Sequence, residues 1–418
     1  MSMTGNRRVV VTGTGAISCL GIGVSALWDG LVSGRSGIGL TTRFDTTDCR
    51  CKIAGEIPNF KIEDHTDNRD MIRLDRFCHY AHVAAKEAMA QSGITAENTD
   101  LDRAGCLVSS GIGGLDTLSE QAFTFKEKGF RRLSPLMVPK MIIDICPGQL
   151  SIMYGFRGPN LAVVSACASG NHSIGESWWM IKRGDADVMM AGGTEACISS
   201  LGVGGFASMR ALSERTDEPQ RASRPFDAQR DGFVPAEGAG VVILEELEHA
   251  KKRGATILAE VIGYGLSGDA NHITAPLETG DGGARAVRMA LGHAGIKPED
   301  VGYINAHGTS TPLNDKTETR MFKTVFGDYA YKVPISSSKS MIGHMLGAAG
   351  GIEAVVCVQT LLNGVIHPTI NYENPDPDCD LDYVPNVARK ADVKIALSTN
   401  LGFGGHNAAL LLRKWEGQ

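Results

Sequence analysis

Apolar and polar positions along the chain alternate between short strand-like runs and longer helix-like segments. Residues 8–13 form a Val-rich run that ends in a glycine turn, and residues 185–192 and 240–245 show two further patterns of buried strands. Residues 80–92 carry alanine at helical spacing, and Gly93 follows them as the predicted helix C-cap. This alternation predicts an α/β fold.

The two halves of the chain carry a weak internal repeat. Each half opens with a glycine-ended apolar strand, near Val9 and near Ala259, and each closes with a Val- or Leu-rich run. We therefore predict two units, residues 1–255 and residues 256–418, which pack around a shared middle layer. Any two α/β segments can share glycine-ended strands, so the pattern alone leaves this duplication open.

Composition excludes some classes of protein and adds one informative excess. Hydrophobic residues make up 43% and charged residues 21%, as in ordinary globular proteins. Glycine makes up 51 of 418 residues, about 12% against a usual value of about 7%, which indicates tight turns and close backbone packing. The net charge of −6 gives no reason to expect nucleic-acid binding. We also expect no membrane span and no signal peptide, and therefore a cytoplasmic protein.

The ten cysteines show neither zinc-ligand spacing nor a disulfide framework, so we expect most of them to be buried reduced thiols. Cys167 is distinguished by its surroundings, because the apolar residues Val163 and Val164 precede it and small, helix-forming residues follow. A cysteine at a strand-to-helix turn lies near unpaired helix N–H groups, which lower the thiol pKa. The alternative is that Cys167 is a small core residue.

Two further segments carry candidate reactive side chains. His307 follows strand-like residues 301–304 in a loop of glycine and hydroxyl residues, where it presents a ring nitrogen to a ligand or makes only a structural hydrogen bond. Lys339 and His344 lie five positions apart, with Gly343 between them. This spacing is typical of a loop in which the lysine enters a pocket and the histidine caps the next helix. Glu353 could neutralise a buried Lys339. An exposed lysine and a capping histidine are the alternative.

A fourth segment, residues 400–407, is a glycine-rich, hairpin-like turn that carries Phe403 and lacks the spacing of a phosphate cradle. Taken together, the four segments contain a nucleophile, two imidazoles, a lysine with a carboxylate partner and a glycine loop. This set suits acyl transfer with stabilisation of negative charge on oxygen. Spacing alone does not show that these residues meet.

Five motifs in this order resemble those of the β-ketoacyl-[acyl-carrier-protein] synthases, the condensing enzymes of fatty acid synthesis, most closely the type II members. The similarity runs from about Arg8 to Lys414, and the motifs are Ser165–Gly170, Asn305–Pro312, Lys339–Gly350, Pro368–Asn371 and Gly402–Asn407. The resemblance implies a thiolase-like fold, a duplicated α-β-α-β-α layered sandwich, and a homodimer. It implies no metal and no organic cofactor.

The resemblance also implies a role for each matching residue. Cys167 takes the acyl chain as a thioester, and His307 and His344 point at the malonyl thioester oxygen. Lys339, paired with Glu353, holds the His344 region in place. Phe403 gates the thiol and forms an oxyanion hole with the Cys167 amide. Thr309 and Thr311 bind the pantetheine arm. Ile112 and Phe206 line the acyl tunnel.

The implied partner is an acidic acyl carrier protein that delivers acyl and malonyl chains on phosphopantetheine. Arg131, Arg132 and Arg210 match basic docking positions, with Arg69 and Arg73 as further candidates, and such charges steer an acidic partner. The implied reaction is a decarboxylative Claisen condensation that lengthens the acyl chain by two carbons to a 3-oxoacyl-[acyl-carrier protein] in fatty acid elongation.

Several alternatives and departures remain. A type II polyketide ketosynthase shares nearly all the motifs, whereas a non-catalytic, chain-length-factor-like partner lacks the nucleophile that is present here. A thiolase would need a second cysteine in the last glycine loop, and a chalcone-synthase-like enzyme would pair cysteine with only one histidine. His406 replaces a threonine that is common in the family, and Leu136 and Met137 replace aromatic residues, so the acyl pocket is expected to differ in shape.

Overall fold

The structure, a computed structural model, describes residues 7–417. Within that range the strands are β1 (Val9–Ser18), β2 (Gly21–Ile22), β3 (Gly39–Leu40), β4 (Ile53–Ala54), β5 (Ala104–Ser109), β6 (Val188–Glu195), β7 (Gly238–Glu246), β8 (Ala259–Gly268), β9 (Tyr303–Asn305), β10 (Ile335–Ser336), β11 (Val365–Ile366), β12 (Arg389–Lys390), β13 (Ile395–Gly402) and β14 (His406–Lys414).

The helices of the same range are α1 (Val24–Val32), α2 (Arg69–Ile72), α3 (Arg76–Ser92), α4 (Leu115–Lys128), α5 (Met137–Met141), α6 (Ile145–Tyr154), α7 (Ser169–Arg183), α8 (Ser200–Ser208), α9 (Leu247–Lys252), α10 (Asp281–Ala294), α11 (Pro312–Phe326), α12 (Lys339–Ile342) and α13 (Ala349–Asn363). Helix α3 contains the predicted alanine-rich helix and ends where expected, because Gly93 adopts the left-handed conformation that closes it, with a φ of 66°.

Ten strands form one mixed sheet in the order β10-β9-β13-β14-β8-β1-β7-β6-β5, with β2 paired to β1. Among the described residues, its two halves pair only between β1 and β8, over three residues from Val9 with Val261 to Val11 with Ala259. From β1 outward and from β8 outward the pairings follow the same pattern, two antiparallel pairs and then a parallel pair. The predicted duplication of the fold is therefore confirmed.

Helices occupy three layers around the two half-sheets. Helices α7 and α13 lie between them, since each contacts strands of both halves. Helices α3 and α6 cover the outer face of the first half, and α10 covers the outer face of the second and packs against α11. This arrangement is the α-β-α-β-α sandwich that the resemblance implies.

The glycine excess has a structural reason in the middle layer. A Cβ atom added to Gly170 of α7 would lie 2.5 Å from the Gly351 nitrogen of α13. One added to Gly351 would lie 2.3 Å from the Gly240 carbonyl oxygen of β7. The two central helices thus contact each other and the sheet backbone to backbone, which only glycine permits.

The middle layer also explains the most apolar run of the chain. Residues Leu346–Asn363, with a mean hydropathy of 1.3, are long and apolar enough to cross a membrane by length and composition, but 83% of the run is buried inside the protein. Glu353 and several glycines interrupt this run, so it was not predicted from the sequence. It consists of the turn Leu346–Ala348 and the core helix α13.

All ten cysteines are free and all except Cys49 are buried, as predicted.

Candidate active site

Cys167 lies in a short helical turn, Ala166–Ala168, that leads directly into α7. The strand predicted before it is wrong: residues 157–165 form no strand and bond to β5 only at isolated points, such as the Cys106 N–H that donates to the Pro159 carbonyl at 2.9 Å. Ala166 has a φ of +51°, an unfavourable conformation for a residue with a Cβ, which turns the chain sharply before the thiol.

The three candidate reactive groups converge on one point. The ligand atoms of Cys167, His307 and His344 all lie within 4.8 Å of one another, and all three residues are buried. The two imidazole centroids are 5.2 Å apart, with the rings nearly perpendicular at 84°. Cys167 comes from the first half of the chain and both histidines from the second, so the site lies where the two halves meet.

Hydrogen bonds determine which ring nitrogen carries the proton on each histidine. The Leu346 N–H donates to His344 Nδ1 at 3.3 Å, and Asn400 Nδ2 donates to His307 Nδ1 at 3.3 Å. A ring nitrogen that accepts a hydrogen bond leaves the proton on Nε2. Burial lowers the pKa of both imidazoles well below 6.5, and the Lys339 cation acts in the same direction. Both rings are therefore neutral and carry an Nε2–H donor.

By distance alone, the thiol and the two imidazoles could also hold a metal ion. A histidine that binds a metal through Nε2 carries its proton on Nδ1 and usually donates it to an acceptor. At His344 the group that faces Nδ1 is the Leu346 N–H, itself a donor. The hydrogen bonds thus suit donors for an anionic oxygen better than metal ligands.

The predicted lowering of the Cys167 pKa is wrong for the protein without substrate. Burial raises the pKa of this thiol to about 12, and the buried Glu195 adds to the effect. The Lys339 cation and the nearby backbone N–H groups of Phe403 and Cys167 act in the opposite direction without overcoming burial. The thiol is therefore neutral.

Lys339 and Glu353 form a buried ion pair, with side chains only 2% and 1% exposed. The second carboxylate oxygen of Glu353 accepts a hydrogen bond from Asn400 Nδ2 at 2.7 Å, and Asn400 in turn contacts His307. A continuous chain of polar contacts thus runs from Lys339 to His307. Asn400 was not among the predicted site residues, because the glycines and Phe403 are the features that mark its segment in the sequence.

A second buried carboxylate supports the His307 loop. Glu318 of α11 accepts hydrogen bonds from the His307 and Gly308 N–H groups at 2.7 and 2.8 Å and from Thr399 Oγ1 at 2.8 Å. Burial raises its pKa to about 7. Glu318 was not among the predicted site residues, because a glutamate on the helix after a histidine loop carries no local signal of contact.

A cavity of about 350 Å³ connects this centre to the surface. Its lining contains most of the site residues named from the sequence, namely Cys167, His307, His344, Thr309, Thr311, Phe206, Phe403 and the exposed Arg210. Ile112 packs against the apolar cluster that contains Cys167 and Leu346. Arg131 and Arg132 do not line the cavity and lie exposed in the turn after α4.

The glycine turn that carries Phe403 connects β13 and β14, as the hairpin-like pattern predicts. Its conformation depends on a neighbouring loop that no sequence motif marks. The Gly404 N–H donates to the Ile273 carbonyl at 2.7 Å, and the Asp269 N–H donates to the Gly405 carbonyl at 2.9 Å. The Phe403 and Phe206 rings face each other across the cavity, with centroids 6.5 Å apart.

Comparisons with known proteins agree with this geometry. Residues 6–250 match the N-terminal domain of β-ketoacyl synthases and residues 258–373 match the C-terminal domain. The chain is 49% identical to 3-oxoacyl-[acyl-carrier-protein] synthase 2 of Synechocystis over 98% of this chain and 99% of that protein. It is also 49% identical to the enzyme of that name from Staphylococcus aureus, over 99% and 100% of the two chains.

Solved structures give the same result. A β-ketoacyl synthase from Burkholderia phymatum is 34% identical with a TM-score of 0.91, and the match covers 98% of this chain and 100% of that one. A type II polyketide ketosynthase in complex with its acyl-carrier protein is also 34% identical, with the same TM-score and coverage. The chain therefore belongs to the β-ketoacyl synthase family.

Proposed function

We propose that this protein is a 3-oxoacyl-[acyl-carrier-protein] synthase of fatty acid elongation, which acts as a cytoplasmic homodimer. The observation that carries the proposal is the convergence of one buried thiol and two neutral imidazoles within 4.8 Å of one another. In this proposal residues 1–255 supply the nucleophile, and residues 256–418 supply both imidazoles, the lysine and the gating turn.

In the first step the Cys167 sulfur attacks an acyl thioester held on the carrier protein. A new C–S bond forms at Cys167 while the C–S bond to the pantetheine breaks, and the thiol proton leaves with the departing sulfur. One thioester replaces another, so little free energy is lost. The backbone N–H groups of Cys167 and Phe403, which lie near the sulfur, form the oxyanion hole for the tetrahedral intermediate.

In the second step malonyl-carrier protein binds, and the bond to its carboxylate breaks to release carbon dioxide. The electron pair stays as an enolate, whose oxygen accepts hydrogen bonds from His307 and His344. Each such donor contributes about 2.7–4 kcal/mol to stabilising the transition state. The enolate carbon attacks the Cys167 thioester, the C–S bond breaks, and the thiolate takes a proton from solvent. The product is a 3-oxoacyl chain two carbons longer.

The substrate path follows the cavity lining. Thr309 and Thr311, whose hydroxyls lie 2.9 Å apart, bind the pantetheine arm, and Phe403 gates access to the thiol. Ile112 and Phe206 form the wall of the acyl chamber, a role supported by their packing against the apolar cluster around Cys167. Arg210 at the cavity receives the acidic carrier protein.

The homodimer is supported by an apolar surface on the first half of the chain. Phe123, Phe130, Val138, Ile152 and Val164 are between 53% and 78% exposed. They lie on α4, the turn after it, α5, α6 and the loop before Cys167. Large apolar side chains that are exposed on one chain are covered at protein interfaces, and a second copy of this chain would cover these. Arg131 and Arg132 adjoin the same surface and would reach the carrier protein bound to the partner.

A type II polyketide ketosynthase is the second candidate. Two solved polyketide systems, the ketosynthase complex described above and an ishigamide ketosynthase with its chain length factor, superpose with TM-scores of 0.91 and 0.90. Their identities of 34% and 37% are lower than the 49% of the fatty acid enzymes, which favours fatty acid elongation. Release of a 3-oxoacyl product with a saturated chain after a single condensation would identify the fatty acid enzyme and distinguish it from a polyketide ketosynthase.

The Cys167→Ala variant tests the proposal. We expect it to abolish elongation, because no thioester can form, and to retain decarboxylation of malonyl-carrier protein, because both imidazoles remain. The two activities are measured separately, as 3-oxoacyl product and as released carbon dioxide. Cys197→Ala serves as the matched control, since it removes another buried thiol of the same apolar cluster. Full condensation by Cys167→Ala would refute the assignment.

A further inference from the structure

One buried carboxylate beside the reactive centre has no part in the steps above. Glu195 ends β6 and is completely buried. Its Oε2 accepts hydrogen bonds from the Gly111 N–H at 2.8 Å and the Gly347 N–H at 2.9 Å. Its Oε1 accepts from Ser110 Oγ at 2.6 Å and the Ile112 N–H at 3.3 Å. Four donors thus converge on a single side chain.

These donors belong to two separate walls of the acyl chamber. Ser110 to Ile112 form the loop after β5, in the first half of the chain. Gly347 belongs to the turn Leu346–Ala348 before α13, in the second half. Ile112 and Leu346 pack in the same apolar cluster as Cys167. Glu195 therefore joins the two walls that enclose the chain on the thiol.

The two walls are in direct backbone contact at this point. A Cβ atom on Gly347 would lie 2.1 Å from the Gly111 nitrogen, and one on Gly111 would lie 2.9 Å from Glu195 Oε2. A glutamine at position 195 would turn an NH₂ group toward N–H donors and leave some of them unpaired. Buried donors without a partner cost about 1–3 kcal/mol each, so the two walls would separate to admit other partners.

We propose that Glu195 is a positioning residue that sets the separation of the Ile112 and Leu346 walls and thereby limits the length of acyl chain accepted on Cys167. This inference rests on the proposed function. Glu195 does not touch the substrate; it acts through the two backbone segments that it binds.

The test compares Glu195→Gln and Ser110→Ala with the wild type on a ladder of saturated acyl-carrier substrates. The quantity compared is a chain-length ratio: kcat/KM for a chain two carbons longer than the preferred one, divided by kcat/KM for the preferred chain. Loosened walls favour longer chains, so this ratio should rise at least fivefold in Glu195→Gln. Ser110→Ala removes one of the four bonds and should move the ratio in the same direction by less. If Glu195→Gln does not fold, Ser110→Ala decides alone.

Glu245→Gln is the matched control. Glu245 is equally buried and pairs with Val188 at the opposite end of the β6–β7 ladder, where Arg253 and Thr12 hold it. We expect this variant to lose stability and to keep the wild-type chain-length ratio. An unchanged ratio in Glu195→Gln and Ser110→Ala, an equal loss at every chain length, or the same shift in Glu245→Gln would overturn the inference. A wild-type protein that elongates no chain would overturn the proposed function as well.

Discussion

Removal of the Lys339 cation should destabilise the protein far more than removal of the whole Lys339–Glu353 pair. The two side chains are 2% and 1% exposed, so in Lys339→Met the Glu353 carboxylate stays buried without its counter-charge. Breaking a buried pair from one side costs about 3–5 kcal/mol, a large part of the about 5–15 kcal/mol that stabilises a typical protein.

The double variant Lys339→Met/Glu353→Gln should recover most of this loss. Glutamine can still accept the hydrogen bond that Asn400 donates at 2.7 Å, and no unpaired charge remains. Replacement of a whole buried pair is often close to neutral, so we expect its free energy of unfolding within about 1 kcal/mol of the wild type.

Urea unfolding at pH 7, followed by tryptophan fluorescence, measures both variants. The double variant should nevertheless show altered catalysis, because the Lys339 charge that lowers the pKa of His307 and His344 is gone. The acidic limb of malonyl decarboxylation should therefore move to higher pH. A double variant as unstable as the single one, or a single variant as stable as the wild type, would refute the reasoning.

Three further predictions follow from the same geometry. His307→Ala should slow malonyl decarboxylation by about 10²–10³-fold by removing one donor, while acyl loading of Cys167 continues; equal loss of both steps would contradict the role of His307 as a donor. His82 is buried, and neither of its ring nitrogens has a hydrogen-bond partner within residues 7–417. Burial lowers its pKa to about 4 from 6.5, so the unfolded chain takes up the proton first as the pH falls. His82→Met should therefore lessen the loss of unfolding free energy between pH 7 and pH 5 by about 2 kcal/mol, measured by urea unfolding; an unchanged pH dependence would exclude a neutral buried imidazole. Arg210→Glu should raise the KM for acyl-carrier protein and reduce the salt dependence of that KM. Decarboxylation of a small malonyl thioester should be unchanged. An unaltered KM would show that Arg210 does not contribute to docking.

Local patterns predicted the parts of the fold that depend on neighbouring residues. The end of α3 at Gly93, the hairpin around Phe403 and the strand before His307 all follow from short-range propensities, and the structure contains them. The strand before Cys167 does not form, because the apolar run there makes too few backbone hydrogen bonds to a neighbouring strand. The Val164 side chain in this run is exposed to solvent.

The chemistry of the site depends on contacts that spacing cannot reveal. Cys167 lies at a helix start as expected, yet its thiol pKa is raised, because burial by residues distant in sequence outweighs the helix N–H groups. Asn400, Glu318 and Glu195 each join segments more than ten residues apart, so no local motif marks them. The resemblance to a family supplied the pairing of the two imidazoles with the thiol; local propensity did not.

The most direct test of the account is the mass of the Cys167 peptide after brief incubation with carrier protein that bears an acyl chain, in the absence of a malonyl donor. We predict that this peptide gains the mass of one acyl group minus one hydrogen, that hydroxylamine removes it, and that malonyl-carrier protein discharges it as a 3-oxoacyl product. An acyl group found on another residue, or none on Cys167 while product still forms, would contradict the central claim.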